Sequence, residues 1–197
     1  MATILDEIVA NKKIEVEQFK RSLPISMLRE GGFFCRETFS FKKALIDSST
    51  GIISEFKRHS PSKGDIHQGI DPKYVVPLYE EYGCTAVSCL ADNKYFGGSY
   101  QDVMQARENL KHTPLLFKEF ITDPYQLYLA KYSGADVILL IAACLERSQC
   151  QELACEAREL GLETLLEIHS EDELSHYGED FIDELGEIGR ASCRERV

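Results

Sequence analysis

The 197-residue chain lacks several features that define common protein classes. Its longest apolar run covers residues 137–145, nine residues, whereas a helix needs about 20 to cross a bilayer. Its N-terminus has no basic segment followed by an apolar one, as a secretory signal would have. It also contains neither G-x-G-x-x-G nor a Walker loop, the glycine-rich sequences that bind nucleotides. We therefore expect no membrane span, no export and no nucleotide cofactor.

Positive charge is scarce as well. Lysine and arginine number 22 against 33 aspartate and glutamate residues, which gives a net charge of -11 at pH 7. An acidic surface repels the phosphates of nucleic acids and of anionic lipids, so we expect neither nucleic acid nor membrane as a partner. A small molecule is therefore the expected partner.

The seven cysteines are an odd number and include no C-x-x-C pair. Several lie in apolar stretches, a context that favours reduced, buried thiols over disulfides or zinc ligands. The five histidines likewise show no spacing typical of metal ligands. The sequence thus predicts a cytoplasmic protein without a metal site.

The first part of the chain is predicted to be helical. Apolar residues recur at helical spacing among charged ones over residues 4–19, and a shorter helical stretch follows at 24–30. These helices predict an N-terminal helical extension covering residues 1–50. A different pattern begins at Gly51.

From Gly51 onward, short apolar runs alternate with helices. The runs occupy residues 51–57, 85–90, 114–120, 136–141 and 162–168, and they start 22 to 34 residues apart. That interval fits a strand followed by a crossover helix. Asp71-Pro72 and Asp123-Pro124 mark helix starts. The alternation predicts an α/β fold with a parallel sheet, either doubly wound or a (β/α)8 barrel.

Charged residues follow the apolar ones where the strands end. Side chains alternate along a strand, so Glu55 and Lys57 point to one face of the first strand. Lys118 and Glu167 share a face with apolar residues two positions earlier in their own strands. A barrel would gather these groups around one opening and suit acid–base chemistry, whereas a doubly wound sheet would space them along a crevice. The alternative is that each is a solvated charge where a strand emerges.

Two loops add candidate binding groups. Residues 57–64 are basic and rich in small residues, so Ser60 or backbone N–H groups there suit an anionic substrate. Residues 95–99 place a Tyr-Phe pair on a Gly-Gly turn, which suits contact with a planar ring. Composition alone equally allows a solvated mobile loop in the first case and a purely structural apolar contact in the second.

Five segments in series resemble the indole-3-glycerol-phosphate synthase family. They are IISEFKRHSPSKG (52–64), LADNKYFGGS (90–99), PLLFKEFITDPYQ (114–126), GADVILLIA (134–142) and GLETLLEIH (161–169). The resemblance extends from about residue 4 to residue 186. It implies a TIM-barrel enzyme of tryptophan, and hence aromatic amino-acid, biosynthesis. Such a carboxy-lyase converts 1-(2-carboxyphenylamino)-1-deoxyribulose 5-phosphate into indole-3-glycerol phosphate, CO2 and water without a cofactor.

The same resemblance implies roles for the four strand-end charges. Lys118 matches the general acid that protonates the ketone oxygen during ring closure. Lys57 matches the lysine that holds the substrate carboxylate and can deliver a proton. Glu167 and Glu55 match the pair that serves dehydration and positions the lysines, with Glu167 as the base.

Binding residues follow from the resemblance in the same way. Ser60 matches a loop serine that contacts the substrate, and Phe96 and Phe120 match apolar walls for its aromatic ring. Two departures from the family pattern are mild, namely Glu119 where aspartate is usual and Ala91 where threonine is usual.

Length sets an expectation about the barrel. Eight units of about 28 residues need roughly 225 residues, whereas residues 51–186 supply 136. We expect a partial barrel of five units, with a sixth strand opening at residues 181–185. Residues 187–197 break the pattern and resemble the translation of a DNA-sequencing adapter, so we treat them as a non-native tail. We expect the natural protein to continue beyond Gly186 and this chain alone to be inactive.

Two other classes of function stay open at this point. A different phosphate-binding barrel, either an isomerase of the same pathway or a Schiff-base aldolase, would also contain β-α units and strand-end lysines. A non-catalytic interpretation treats the N-terminal helices and the basic loop as an interaction module. Fusion to, or association with, other enzymes of the pathway is a further possibility for the intact protein.

Overall fold

Three helices precede the sheet. The computed structural model describes residues 3–176 and 183–187, and it begins with α1 (Ile4–Ser22), α2 (Ile25–Glu30) and α3 (Phe41–Asp47). Helix α1 starts at a capping box, in which Thr3 and Asp6 each accept a hydrogen bond from the other's backbone N–H. Both helices predicted between residues 4 and 30 are present. Helix α3 is a third, which the periodicity does not predict.

Strands and helices then alternate along the chain. In order they are β1 (Ile53–Phe56), β2 (His59–Ser60), β3 (Gly64–Asp65), α4 (Pro72–Glu81), β4 (Ala86–Leu90), α5 (Tyr100–Asn109), β5 (Leu115–Lys118), α6 (Tyr125–Tyr132), β6 (Val137–Ile141), α7 (Arg147–Glu159), β7 (Glu163–Ile168) and β8 (Glu184–Glu187). Each predicted apolar run contains one strand. Strand β8 overlaps the sixth strand expected at 181–185, of which residues 181 and 182 lie outside the described residues. None of the described helices is long and apolar enough to cross a membrane.

The order of the strands distinguishes between the two predicted architectures. Six strands form one parallel sheet in the order β1-β4-β5-β6-β7-β8, so each new strand pairs with the preceding strand of the sheet. A doubly wound sheet reverses its direction of growth at a switch point. Sequential growth with a helix after most strands is the arrangement of a (β/α)8 barrel. The described residues supply six consecutive strands of that barrel.

The sheet separates two apolar cores. Its outer face packs against the helices, and this larger core includes Val87 and Phe117. Its inner face carries a smaller cluster, to which α3 contributes the completely buried Phe41. Ala86 and Val137, the first residues of β4 and β6, belong to the same cluster. Helix α3 therefore closes the sheet at the N-terminal ends of its strands.

A buried carboxylate joins the extension to the sheet. Asp136 is completely buried and accepts hydrogen bonds from the N–H groups of Phe39 and Leu115, both at 2.8 Å. Its other partners are the guanidinium groups of Arg107, at 3.1 Å, and of Arg36. Two cations and two N–H donors compensate for the desolvation of this carboxylate. The network fixes the segment before α3 against the start of β6.

The helix starts differ in detail from the prediction. Helix α4 begins after Asp71, but the Asp71 side chain makes no capping hydrogen bond. Helix α6 begins at Tyr125, because Pro124 takes the N-cap position and Asp123 instead accepts a hydrogen bond from the Tyr125 N–H at 2.9 Å. The basic loop contains a short antiparallel pair, β2 with β3. It is therefore hydrogen-bonded structure and not a featureless loop.

Glu80, in the last turn of α4, binds the loop that leads into β5. Its carboxylate accepts hydrogen bonds from the N–H groups of Lys111, His112 and Thr113 and from the Thr113 hydroxyl, at 2.7 to 3.2 Å. Burial alone would raise the pKa of Glu80, but these bonds, led by the one from His112, favour the charged form and lower it to about 2. The charged carboxylate therefore stabilises the fold.

Replacing Glu80 with glutamine tests this contact. Since folding lowers the pKa of Glu80 from 4.5 to about 2, its stabilisation is present above pH 4.5 and is lost as the pH falls from there towards 2. In urea unfolding at several pH values, we expect Glu80→Gln to be less stable than the wild type near neutral pH and to approach it in acid. Glu81→Gln, at an exposed neighbour, is the control. Parallel stability curves for Glu80→Gln and the wild type would contradict the assignment.

Candidate active site

A cavity of about 260 Å³ opens on the inner face of the sheet. It is lined by Ile53, Glu55, Ser88, Leu116, Lys118, Leu139, Leu165 and Glu167. These residues come from five consecutive strands, and the two from any one strand are two positions apart, as the alternation of side chains requires. Apolar residues lie nearer the strand starts and charged ones nearer the ends. The cavity is therefore polar at the carboxyl ends of the strands.

The four predicted charged residues form two ion pairs. The Lys118 Nζ lies 3.0 Å from Glu167 Oε2, and the Lys57 Nζ lies 2.5 Å from Glu55 Oε1. Side-chain exposure is 24% for Lys118 and 11% for Glu167, against about a third for each member of the other pair. Glu55, Lys118 and Glu167 line the cavity together, and Lys57 joins them through Glu55. The structure thus brings the four groups to one region.

This arrangement supports acid–base chemistry. An ammonium group beside a carboxylate in a partly dehydrated cavity can stabilise a developing oxyanion or donate a proton to it, while the carboxylate accepts one. His169 adds a second contact to the carboxylate of Glu167, with its Nε2 at 3.0 Å from Oε1. Glu167 is consequently held from two sides.

Two half-buried aromatic rings face each other beyond the carboxyl ends of β4 and β5. The ring centroids of Phe96 and Phe120 lie 6.0 Å apart, and the ring planes are tilted by 32°. Phe96 belongs to the loop after β4, and Phe120 follows Lys118 by two residues and packs against the inner apolar cluster. The two rings predicted as apolar walls therefore lie together.

The basic loop is built around Ser60, which is buried. Its hydroxyl oxygen accepts a hydrogen bond from the Lys63 N–H at 3.2 Å, and no described residue accepts the hydroxyl proton. The N–H of His59 donates to the carbonyl of Phe96 at 3.2 Å, which holds this loop beside the aromatic pair. These contacts give the loop a defined conformation, and its binding role stays a prediction.

Arg58 in the same loop has a structural role. Its guanidinium makes a bidentate contact with Asp102 of α5, at 2.6 and 2.7 Å. The hydrogen bonds that Arg58 donates to Asp102 raise the pKa of Arg58 and outweigh the effect of burial. Both terminal nitrogens of this guanidinium are engaged by Asp102, so Arg58 attaches the loop to α5.

Sequence reasoning misses two features of the site. Ser88 lines the cavity, and strand parity could have placed it there. Behind the strand ends, Lys12 of α1 is buried against Asp92 and Glu119. Burial raises the pKa of Glu119 to about 7 although Lys12 opposes the rise. Only the packing of α1 on the sheet shows this second cluster.

The site holds no evident metal ligands. Within residues 3–176 and 183–187, no three or more His, Cys, Asp or Glu side chains form a group that could bind a metal ion. Charged groups at the carboxyl ends of alternate strands of one parallel sheet are typical of barrel enzymes that act on small molecules.

Comparison with known proteins identifies the family. The family model described as indole-3-glycerol phosphate synthase matches residues 5–179. Enzymes of that name are 52% identical over 176 residues in Bacteroides thetaiotaomicron, 39% over 185 residues in Salinibacter ruber and 43% over 175 residues in Bacillus cereus strain G9842. The matches cover 89%, 93% and 88% of this chain and 67%, 68% and 65% of those proteins, respectively. The chain thus spans about two thirds of the length of these relatives.

The chain belongs to the indole-3-glycerol phosphate synthase family. Members of this family are carboxy-lyases of tryptophan biosynthesis that act on a phosphorylated small molecule. Membership confirms the predicted function and, with the strand order, the predicted barrel fold. The roles of individual residues stay predictions.

Ser88 provides a test of the cavity itself. It is buried, and no described residue forms a hydrogen bond with its hydroxyl group. We expect Ser88→Ala to leave the free energy of unfolding unchanged or to raise it by up to about 1 kcal/mol, because an unsatisfied buried polar group is lost. Ser133→Ala is the matched control, since Ser133 Oγ donates to the Leu129 carbonyl at 2.7 Å. Its free energy of unfolding should fall by about 0.5–1.5 kcal/mol. If urea unfolding shows a larger fall in stability for Ser88→Ala than for Ser133→Ala, the Ser88 hydroxyl is not unpartnered.

Proposed function

We propose that Lys118, Glu167, Lys57 and Glu55 are the catalytic residues of the synthase reaction. The substrate is 1-(2-carboxyphenylamino)-1-deoxyribulose 5-phosphate. The observation that supports this assignment best is the cavity shared by Glu55, Lys118 and Glu167, in which Lys118 and Glu167 lie 3.0 Å apart. One ammonium and one carboxylate at that distance can act on neighbouring atoms of one bound molecule.

The aromatic end of the substrate packs against the exposed side of the Phe96–Phe120 pair. Its carboxylate pairs with Lys57, whose position is fixed by Glu55. Ser60 contributes its hydroxyl proton, which no described residue accepts. This orientation directs the ketone of the sugar chain towards Lys118.

Ring closure forms a carbon–carbon bond between the ring carbon that bears the carboxylate and the ketone carbon. Lys118 donates a proton to the ketone oxygen as negative charge develops there. The ring carbon is the nucleophile, so the ring loses its aromaticity as it attacks the ketone carbon and becomes cationic at nitrogen. Loss of CO2 returns the electron pair of the broken bond to the ring and restores aromaticity.

Dehydration completes the reaction. The new hydroxyl group leaves as water and needs a proton from an acid, which Lys57 supplies. Glu167 removes a proton from the intermediate, so that the double bond of the indole forms. Its contacts with Lys118 and His169 hold the carboxylate in place for this step.

We also propose a cytoplasmic location. Cys89 and Cys150 are buried free thiols, which a reducing compartment preserves. Association with other enzymes of the pathway, or fusion to them, is compatible with the domain division into residues 1–50, 51–186 and 187–197.

The chain alone should give no turnover. The described residues supply six of the eight strands of a barrel, and barrel enzymes commonly bind phosphate in the loops after strands seven and eight. We expect a steady-state assay of the purified 197-residue chain to yield no indole-3-glycerol phosphate. Measurable ring closure would contradict this expectation.

A completed barrel tests the catalytic roles. In a chimaera of residues 1–183 with the corresponding last third of the Bacteroides thetaiotaomicron relative, Lys118→Ala should lower kcat by about 10²–10⁴-fold, because the general acid is lost. Lys111→Ala, which removes an exposed lysine, is the control and should leave kcat unchanged.

Full activity of the Lys118→Ala chimaera would refute the assignment. Borohydride trapping of substrate on Lys57 or Lys118 would favour a Schiff-base aldolase instead. Binding that survives both Lys118→Ala and Glu167→Ala but is lost without residues 1–45 would favour an interaction module.

A further inference from the structure

A lysine of the N-terminal extension is buried among three carboxylates. Lys12 of α1 is 3% exposed. Its Nζ lies 2.6 Å from Glu15 Oε2, 2.8 Å from Asp92 Oδ2 and 3.0 Å from Glu119 Oε2. Glu15 belongs to the same helix, whereas Asp92 follows β4 and Glu119 follows β5. One ammonium group therefore bridges the ends of two neighbouring strands.

Each of the two strand-end carboxylates orders the loop that carries one of the facing phenylalanines. Asp92 Oδ1 accepts a hydrogen bond from the Tyr95 N–H at 2.8 Å, immediately before Phe96. Glu119 Oε1 accepts one from the N–H of Phe120 itself, also at 2.8 Å. In each carboxylate, one oxygen accepts a hydrogen bond from a backbone N–H and the other faces the Lys12 ammonium group. The positions of the two loops are thus coupled through a single side chain.

We propose that Lys12 is a positioning residue that sets the gap between Phe96 and Phe120 and thereby the affinity for the aromatic end of the substrate. The consequence for the substrate rests on the proposed function, whereas the consequence for the ring gap does not. Lys12 lines a cavity together with Phe117 and Leu129 of the larger, outer apolar core. It acts through Asp92 and Glu119.

A neutral residue at position 12 could not hold Asp92 and Glu119 together, because both carboxylates need a countercharge. Asp92 is completely buried and Glu119 is 7% exposed, so solvent screens their mutual repulsion poorly. Removing the ammonium group would leave two buried carboxylates facing each other without a countercharge. Burial already raises the pKa of Glu119 to about 7 against the opposing charge of Lys12, so without Lys12 this carboxyl takes up a proton. The ion bridge that holds the two phenylalanine loops at a fixed separation is then lost.

The same helix offers a matched control. Lys20 also joins α1 to the strand ends, since its Nζ lies 2.8 Å from Asp123 Oδ2. That pair is about a third exposed, and neither Lys20 nor Asp123 bonds the backbone of a phenylalanine. Loss of Lys20 therefore breaks a contact of α1 with Asp123, three residues beyond Phe120, and leaves in place the hydrogen bonds that Asp92 and Glu119 accept from the Tyr95 and Phe120 N–H groups.

The test uses the full 197-residue chain in two NMR measurements. The first is the nuclear Overhauser effect between the rings of Phe96 and Phe120, and the second is the Kd for 2-aminobenzoate, a probe of the aromatic end. In Lys12→Met we expect the ring contact to weaken and the Kd to rise roughly tenfold, as a displaced binding group implies. Lys12→Arg should restore both, and Lys20→Met should match the wild type in both.

A folded Lys12→Met variant with an unchanged ring contact and an unchanged Kd would overturn the proposal. If that variant does not fold, Glu119→Ala and Glu119→Gln decide. Glu119→Ala removes the acceptor for the Phe120 N–H and should weaken the contact between the two rings. Glu119→Gln keeps an acceptor and should preserve that contact. If both variants show the same nuclear Overhauser effect between the rings, the proposal is wrong. If the wild type does not bind 2-aminobenzoate, the proposed function fails, while the ring contact still tests the role of Lys12.

Discussion

Alternation of side chains along sequentially paired parallel strands is the constraint on which this structure depends. Each strand joins the edge left by the previous one, so residues two positions apart face the same side throughout the sheet. One side packs against helices, and the other collects Glu55, Lys118 and Glu167 around one cavity. A shift of register by one residue in β5 would turn Lys118 outward and bring its neighbour Glu119 inward. The chemistry of the site thus depends directly on strand register.

Buried charges then connect the N-terminal extension to this sheet at both ends. Asp136 fixes the segment before α3 at the N-terminal ends of the strands, and Lys12 fixes α1 at the carboxyl ends. Such pairs contribute little net stability, because desolvation offsets much of their attraction, but they penalise any arrangement that separates the partners. The extension is therefore held in one position relative to the cavity.

Much of the fold could be predicted from the sequence, because local patterns determine it. The strands and the inward direction of Lys118 follow from alternation within short segments. The network of Lys12 could not be predicted, since Lys12 and Glu119 are 107 residues apart and a lysine on an amphipathic helix is normally solvated. Strands β2 and β3 have two residues each, too few for any periodicity. Pairing of Arg58 with Asp102 likewise depends on packing that no local pattern encodes.

The central claim is that one cavity on the inner face binds the aromatic end of the substrate. A crystal structure of the chain with 2-aminobenzoate tests it most directly. We expect the ligand ring to pack against Phe96 and Phe120, with its carboxylate on Lys57 and its open side towards Lys118. A ligand bound elsewhere, or side chains of Lys57 and Lys118 directed away from a common cavity, would contradict it.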